Sequence, residues 1–136
     1  MKTQNKNILL IDDNDIDNFV NKAVIDKSNR FEKIIVHTYA EEALEELRKN
    51  ANDAALLPGI ILLDIRMPVM DGFEFLEEFS KFQNQLAVQP KIYMLSSSFD
   101  PKDIIKAKEN KNVIRFISKP LKVKDLEEVI TELEIS

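Results

Sequence analysis

Apolar residues along the chain gather into five short runs separated by longer amphipathic stretches. The runs are Asn7 to Asp12, Lys33 to Thr38, Gly59 to Asp64, Lys91 to Ser96 and Val113 to Ser118, each rich in Ile, Leu and Val, which is the composition of a β-strand. The first, third and fourth are nearly continuous in apolar side chains, the pattern of central strands in a parallel sheet covered on both faces. Between the runs the period becomes helical. Ile16, Phe19, Val20, Ala23 and Val24 predict the core-facing stripe of a first helix, and Ala40, Ala43, Leu44 and Leu47 that of a second. Phe75, Leu76 and Phe79 predict a third, Ile104, Ile105 and Ala107 a weaker fourth, and Val123, Leu126, Val129, Ile130 and Leu133 a fifth.

Strand and helix therefore alternate five times. Such βα units pack with right-handed crossovers into an open α/β fold, helices on both faces of a parallel sheet, and five strands predict the flavodoxin-like doubly wound order 2-1-3-4-5. Asp15 suits the cap of the first helix. Asp100, Pro101 and Asp103 form a box-like start for the fourth, with proline in the first turn, where its missing N–H is not needed.

The length of 136 residues fits one domain over 1-136, with a core at about 6-134. Apolar residues at 44% and charged residues at 32% supply a core and argue against disorder. The net charge of -5 argues against sequence-independent binding to nucleic acid, which needs a positive surface. Without cysteine there is neither a disulfide framework nor a thiolate metal site, so a reducing, cytoplasmic setting is expected. No run reaches the length of a membrane span or a signal-peptide core. The one segment expected to be loose is Asn50 to Gly59.

In an open α/β sheet, function collects beyond the carboxyl ends of the strands. There the first strand ends in Asp12 and Asp13, the third in Asp64, the fourth in Ser96, and the fifth in Ser118, Lys119 and Pro120. Three carboxylates on one edge repel each other unless a cation joins them. A set this sparse suits magnesium, which keeps several waters and takes one or two carboxylates plus a phosphoryl oxygen. Lys119 offers a point charge and Ser96 a hydroxyl to the same oxygen, while a carboxylate such as Asp64 can act as nucleophile and become an aspartyl phosphate.

The pair Asp12 and Asp13, the stretch LLDIRMPVMDG at Leu62 to Gly72, MLS at Met94 to Ser96 and FISKP at Phe116 to Pro120 together resemble the receiver domains of two-component response regulators, over essentially the whole chain. The resemblance implies Asp64 as phosphoacceptor; Asp13 as a direct magnesium ligand, Asp12 as one through water, and the Arg66 backbone carbonyl as another; and manganese as a substitute metal. It implies that Ser96 and Lys119 grip the phosphoryl group and that Phe116 turns inward as a rotamer switch. A cis peptide between Lys119 and Pro120 is implied as well. So are a sensor histidine kinase or histidine phosphotransfer protein as phosphodonor, and a downstream protein on the face of the fourth helix, fifth strand and fifth helix. A monomer or a phosphorylation-dependent dimer is expected, as a stand-alone module that catalyses only its own phosphoryl acceptance and slow autodephosphorylation. Ser96 stands where threonine is usual and Phe116 where tyrosine is common; Ser97 is the alternative source of the hydroxyl.

Two other functions compete. An aspartate-nucleophile phosphatase wants a DxDx(T/V) start, where this chain has DDND, and a cap domain. A pseudo-receiver would keep the fold without phosphorylation, yet all five of Asp12, Asp13, Asp64, Ser96 and Lys119 are present. With two glycines, the chain has no phosphate-cradling glycine loop. His37, the single histidine, has no metal-spaced partner and reads as structural or exposed, and most of Phe73, Phe75, Phe79 and Phe82 reads as core. The acid cluster yields a first prediction. Magnesium at ten times its dissociation constant stabilises the fold by about 1.4 kcal/mol, and Asp13→Asn loses most of that; thermal melts with and without the ion check it, and an unchanged midpoint in saturating magnesium refutes the metal assignment.

Overall fold

The computed structural model describes residues 6–97 and 100–135; the outermost residues of the expected 1-136 domain, and Ser98 beside the candidate hydroxyls, lie outside it. Five strands, β1 (Asn7–Ile11), β2 (Lys33–His37), β3 (Ile60–Asp64), β4 (Lys91–Ser96) and β5 (Val113–Ser118), alternate with five helices, α1 (Asp15–Ser28), α2 (Ala40–Lys49), α3 (Gly72–Ser80), α4 (Pro101–Glu109) and α5 (Val123–Ile135). All strand pairs are parallel and the order is β2-β1-β3-β4-β5, the flavodoxin-like arrangement. Strand limits match the apolar runs to within one residue, with Asp12, Thr38 and Gly59 falling just outside.

The alternation of side chains along each strand divides the core into two layers. Leu9, Ile11, Ile61, Leu63 and Met94 pack with α2, α3 and Ala107 of α4. Ile8, Leu10, Ile60, Leu62, Tyr93 and Leu95 pack with Ile25 of α1 and with Leu126, Val129 and Ile130 of α5. The central strands β1 and β3 are buried along their whole length, as their unbroken apolar runs require.

Helix α1 departs from its predicted stripe. Ile16 is 74% exposed and Phe19 76%, and Val20 and Ala23 also face outward, with only Val24 half-buried. The inward face carries Asn18, Asn21 and Ile25. The reason is hydrogen bonding: Asn18 Nδ2 donates to the Asp12 carbonyl at 2.8 Å, and Asn21 Oδ1 accepts from the Leu121 N–H at 3.1 Å. Both backbone groups lie in loops at the carboxyl edge, where burial without a partner would cost about 1–3 kcal/mol each. The helix is amphipathic, and the side turned inward joins two asparagines to Ile25.

Other helix ends follow local chemistry. Asn14, and not Asp15, caps α1, accepting from the Asp17 N–H at 2.9 Å. Asp71 and Glu74 form a reciprocal box at the start of α3. Asp100 caps α4 by accepting from Lys102 N–H, but Asp103 does not close the expected box, because its carboxylate is drawn to Arg66. Of the α4 stripe Ala107 is buried and Ile105 exposed. In α5 Val123 is exposed, while Leu126, Val129 and Ile130 are buried. Phe82 joins Phe75 and Phe79 in the core, edge-on to Phe79.

The segment expected to be loose is tied down. Asp53 and Leu56 close successive turns through their N–H groups, Asn7 Nδ2 donates to the Ala55 carbonyl, and Leu57 is buried outright. His37 pairs with Glu46 on α2, a structural role. Among the described residues no helix is long and apolar enough to cross a membrane.

Where β3 gives way to α3, the backbone turns back on itself and Gly72 N–H reaches the Ile65 carbonyl at 2.9 Å. A Cβ at Gly72 would sit 2.5 Å from the Asp64 carbonyl oxygen and 2.8 Å from the Met94 side chain. Gly72→Ala therefore forces α3 off the end of β3, and we expect it to lower stability by about 1–3 kcal/mol; urea unfolding measures this, and a midpoint within error of wild type contradicts the packing argument.

Candidate functional site

The carboxyl edge is built by extending the sheet one residue past its strands. Asp12 N–H bonds the His37 carbonyl at 3.1 Å and Lys119 N–H bonds the Ser96 carbonyl at 2.9 Å, so both side chains are set by continued pairing. Asp64 is the last residue of β3 and is buried opposite Leu95. Asp12 is buried as well; its Oδ1 takes the Asn14 N–H at 3.0 Å, which fixes the turn into α1. Asp13 points to solvent.

The ammonium of Lys119 lies at the centre. It is 2.6 Å from Asp12 Oδ2, 2.8 Å from Asp17 Oδ2 and 3.3 Å from Asp64 Oδ1. Asp12 Oδ2 is buried and meets this charge without hydrogen-bond alignment. Ligand oxygens of Asp12, Asp13 and Asp64 all lie within 4.8 Å of one another. Opposed oxygens on one magnesium ion are about 4.2 Å apart, twice the bond length, so a small closure brings the three into reach of a single ion. With Asp17 the edge holds four carboxylates against one ammonium, and a divalent cation suits that excess. The residues fit the metal.

Electrostatics agree with the geometry. Burial pushes the Asp64 carboxyl up to about 7, helped by the neighbouring Asp12 charge and opposed by Lys119. For Lys119, burial acts to lower the pKa, but the Asp12 and Asp17 carboxylates beside it and the Asp64 charge outweigh it and raise the ammonium above its ordinary value. Lys119 therefore stays charged, while Asp64 is poised to exchange its proton for a cation.

The remaining predicted positions fall around this centre. Ser96 is buried at the end of β4, beside Ser118 in register, whereas Ser97 is exposed. Phe116 is half-buried against the layer formed with α3 and α4. The Lys119–Pro120 peptide is cis. The Arg66 guanidinium donates to Asp103 at 2.6 Å and lies 3.7 Å from Asp100, linking the loop after Asp64 to the start of α4. In the same loop Val69 is 82% exposed and holds a left-handed φ of 69°, a costly conformation for a β-branched residue. Sequence reasoning missed Asp17, Asn18, Asn21 and the Arg66–Asp103 pair. For Asn18 and Asn21 the advance sign was their spacing of three opposite the apolar stripe of α1; Asp17 and the Arg66–Asp103 pair had none.

Comparison with known proteins is consistent throughout. The family model for the response regulator receiver domain matches residues 8–131. A two-component response regulator from Cytophaga hutchinsonii is 32% identical and superposes with a TM-score of 0.88, over 98% of this chain and 99% of that one. A response regulator receiver protein from Dyadobacter fermentans is 27% identical with a TM-score of 0.80, over 94% of this chain and 97% of that one. In sequence, a protein of Methanothrix harundinacea named "Probable methanogenesis regulatory protein FilR2" is 27% identical over 93% of this chain and 80% of its own length.

The raised carboxyl of Asp64 gives a signed pH dependence. Between about pH 4 and 7 the folded metal-free protein holds a proton that the unfolded chain has lost, so this group's contribution to stability falls as pH rises through that window and is flat above it. Magnesium binding must expel the proton, so its affinity rises by up to about tenfold per pH unit below pH 7. Calorimetry at about pH 6 and pH 8, in buffers of different ionisation enthalpy, reads both the affinity and the released proton; equal affinities at the two pH values contradict it.

Proposed function

The chain belongs to the response regulator receiver domain family, and from that premise we propose that it is a phosphorylation-dependent signalling switch whose acceptor is Asp64. The observation that carries this reading is the placement of Lys119 Nζ 3.3 Å from Asp64 Oδ1 at the rim of a three-carboxylate cluster. A carboxylate held beside an ammonium can attack phosphorus in line with a leaving group: the new bond joins Asp64 oxygen to phosphorus, the bond from phosphorus to the donor nitrogen or oxygen breaks, and the donor leaves with its electron pair. Lys119 offsets the charge on the phosphoryl oxygens, and the buried Ser96 supplies the hydroxyl that follows one of them. Asp12, Asp13, Asp64 and the Arg66 carbonyl would hold magnesium or manganese. The ion would supply charge neutralisation at the phosphoryl oxygens.

Two surfaces support specific partners. The outward stripe of α1, Ile16, Phe19 and Val20, rises beside Asp17 at the edge of the pocket and is too apolar for solvent alone. We assign it to the phosphodonor, a histidine kinase or histidine phosphotransfer protein. On the α4–β5–α5 face Ile105 and Ile114 are exposed and Phe116 is half-buried. A change in Phe116 rotamer would alter that face, which suits a downstream protein or a second copy of the phosphorylated chain. In this reading the module catalyses only its own phosphoryl acceptance and slow autodephosphorylation.

Incubation with acetyl phosphate and magnesium should add one phosphoryl mass to the intact protein, and Asp64→Asn should remain unlabelled. Equal labelling of wild type and Asp64→Asn, or no labelling of wild type at any magnesium concentration, defeats the assignment.

A further inference from the structure

Three carboxylates surround the Lys119 ammonium, yet only two of them have a place in the reading above. Asp12 belongs to the metal cluster and Asp64 accepts the phosphoryl group. Asp17 does neither, and its 2.8 Å hydrogen bond is shorter than the 3.3 Å contact to Asp64. We propose that Asp17 is a positioning residue for phosphoryl acceptance, competing with the incoming phosphoryl group for the Lys119 ammonium and so holding that ammonium back from Asp64 until phosphoryl oxygen replaces it. The proposal rests on the acceptor reading of Asp64.

Helix capping does not account for the contact. Asp17 is the third residue of α1, where an acidic side chain would reach back to the N–H of the cap residue. Here that N–H, on Asn14, is already bonded by Asp12 Oδ1, and the carboxylate of Asp17 turns instead to a lysine 102 residues away. Its place is fixed rather than accidental, because Asn18 and Asn21 on the next turn pin α1 to the Asp12 carbonyl and the Leu121 N–H.

Hydrogen bonding and exposure decide which partner yields. Of the three contacts the one to Asp17 is an aligned hydrogen bond, and a phosphoryl oxygen on Asp64 that draws the ammonium toward itself must loosen it. Asp12 is buried and belongs to the metal cluster, so it keeps its place. Asp17 has a side chain 36% exposed, so water can take it up when Lys119 leaves. Asp17 is therefore the partner that is exchanged, and its hold on Lys119 sets how readily the pocket accepts phosphate.

The test compares wild type, Asp17→Asn and Asp17→Glu for labelling rate by acetyl phosphate and for affinity toward beryllofluoride, a phosphoryl mimic, at saturating magnesium. Removing one charge-assisted hydrogen bond that competes for the ammonium should raise both about tenfold in Asp17→Asn, and Asp17→Glu should return them toward wild type. The gain should persist at about 0.5 M salt, where diffuse charge effects are screened. It should also vanish in a Lys119→Ala background, where slow labelling is followed over hours. Wild-type values in Asp17→Asn, even with an altered melting point, would reduce Asp17 to a structural role. A gain of equal size without Lys119 would make it a general charge effect, and either result overturns the proposal while leaving Asp64 as acceptor. An unlabelled wild type takes down the acceptor reading itself and this proposal with it.

Discussion

A single buried ammonium holds the carboxyl edge of this sheet together. Lys119 stands among Asp12, Asp17 and Asp64, brought there from the ends of β1 and β3 and from the first turn of α1. Without it the buried acids would have no counter-charge, and burying unpaired charge costs more than a domain of this size can spare. With it the edge still carries an excess of negative charge, which adds to burial in raising the Asp64 pKa to about 7 and leaves the cluster suited to a cation. The site is thus held in an unsettled electrostatic state by groups that are themselves rigidly placed.

That rigidity comes from backbone pairing carried past the strands. Asp12 and Lys119 each continue a ladder by one hydrogen bond, and Gly72 seats α3 directly on the Asp64 carbonyl. On the other side α1 is anchored by two asparagines to the loops that carry Asp12 and Leu121. The consequence is an apolar stripe left facing out beside the carboxyl edge, an arrangement suited to contact with another protein. Arg66 extends the connection toward α4 through Asp103, so the loop beyond Asp64 and the helix on the opposite side of β4 share an ion pair.

Family resemblance and physical geometry converge on the same residues by different routes. The motifs name Asp12, Asp13, Asp64, Ser96 and Lys119, and the fold gathers the three acids and the lysine into one cluster with Ser96 buried at the adjoining strand end. Asp17 has no part in those motifs. It enters only because α1 is rotated so that its first turn leans over the β5–α5 loop.

The local alphabet of this chain determined its strands and the alternation of β and α, because apolar period and run length are properties of neighbours in sequence, and five alternating units implied the sheet order. It also determined which residues lie beyond the strand ends, since in a parallel α/β sheet every strand delivers its last residue to the same edge. Tertiary structure alone decided the rest. The stripe Ile16, Phe19, Val20 and Ala23 has the period of a buried face, but which side of an amphipathic helix turns inward depends on what awaits it, and here two backbone groups needed amide partners. The segment before Gly59 looked slack because no periodicity marks it, and it is held by Asn7 and by burial of Leu57. Likewise Asp103 left its expected cap for Arg66, and Asp17 found Lys119. Each is a choice between a local and a distant partner, and sequence order carries no information about which distant group is waiting.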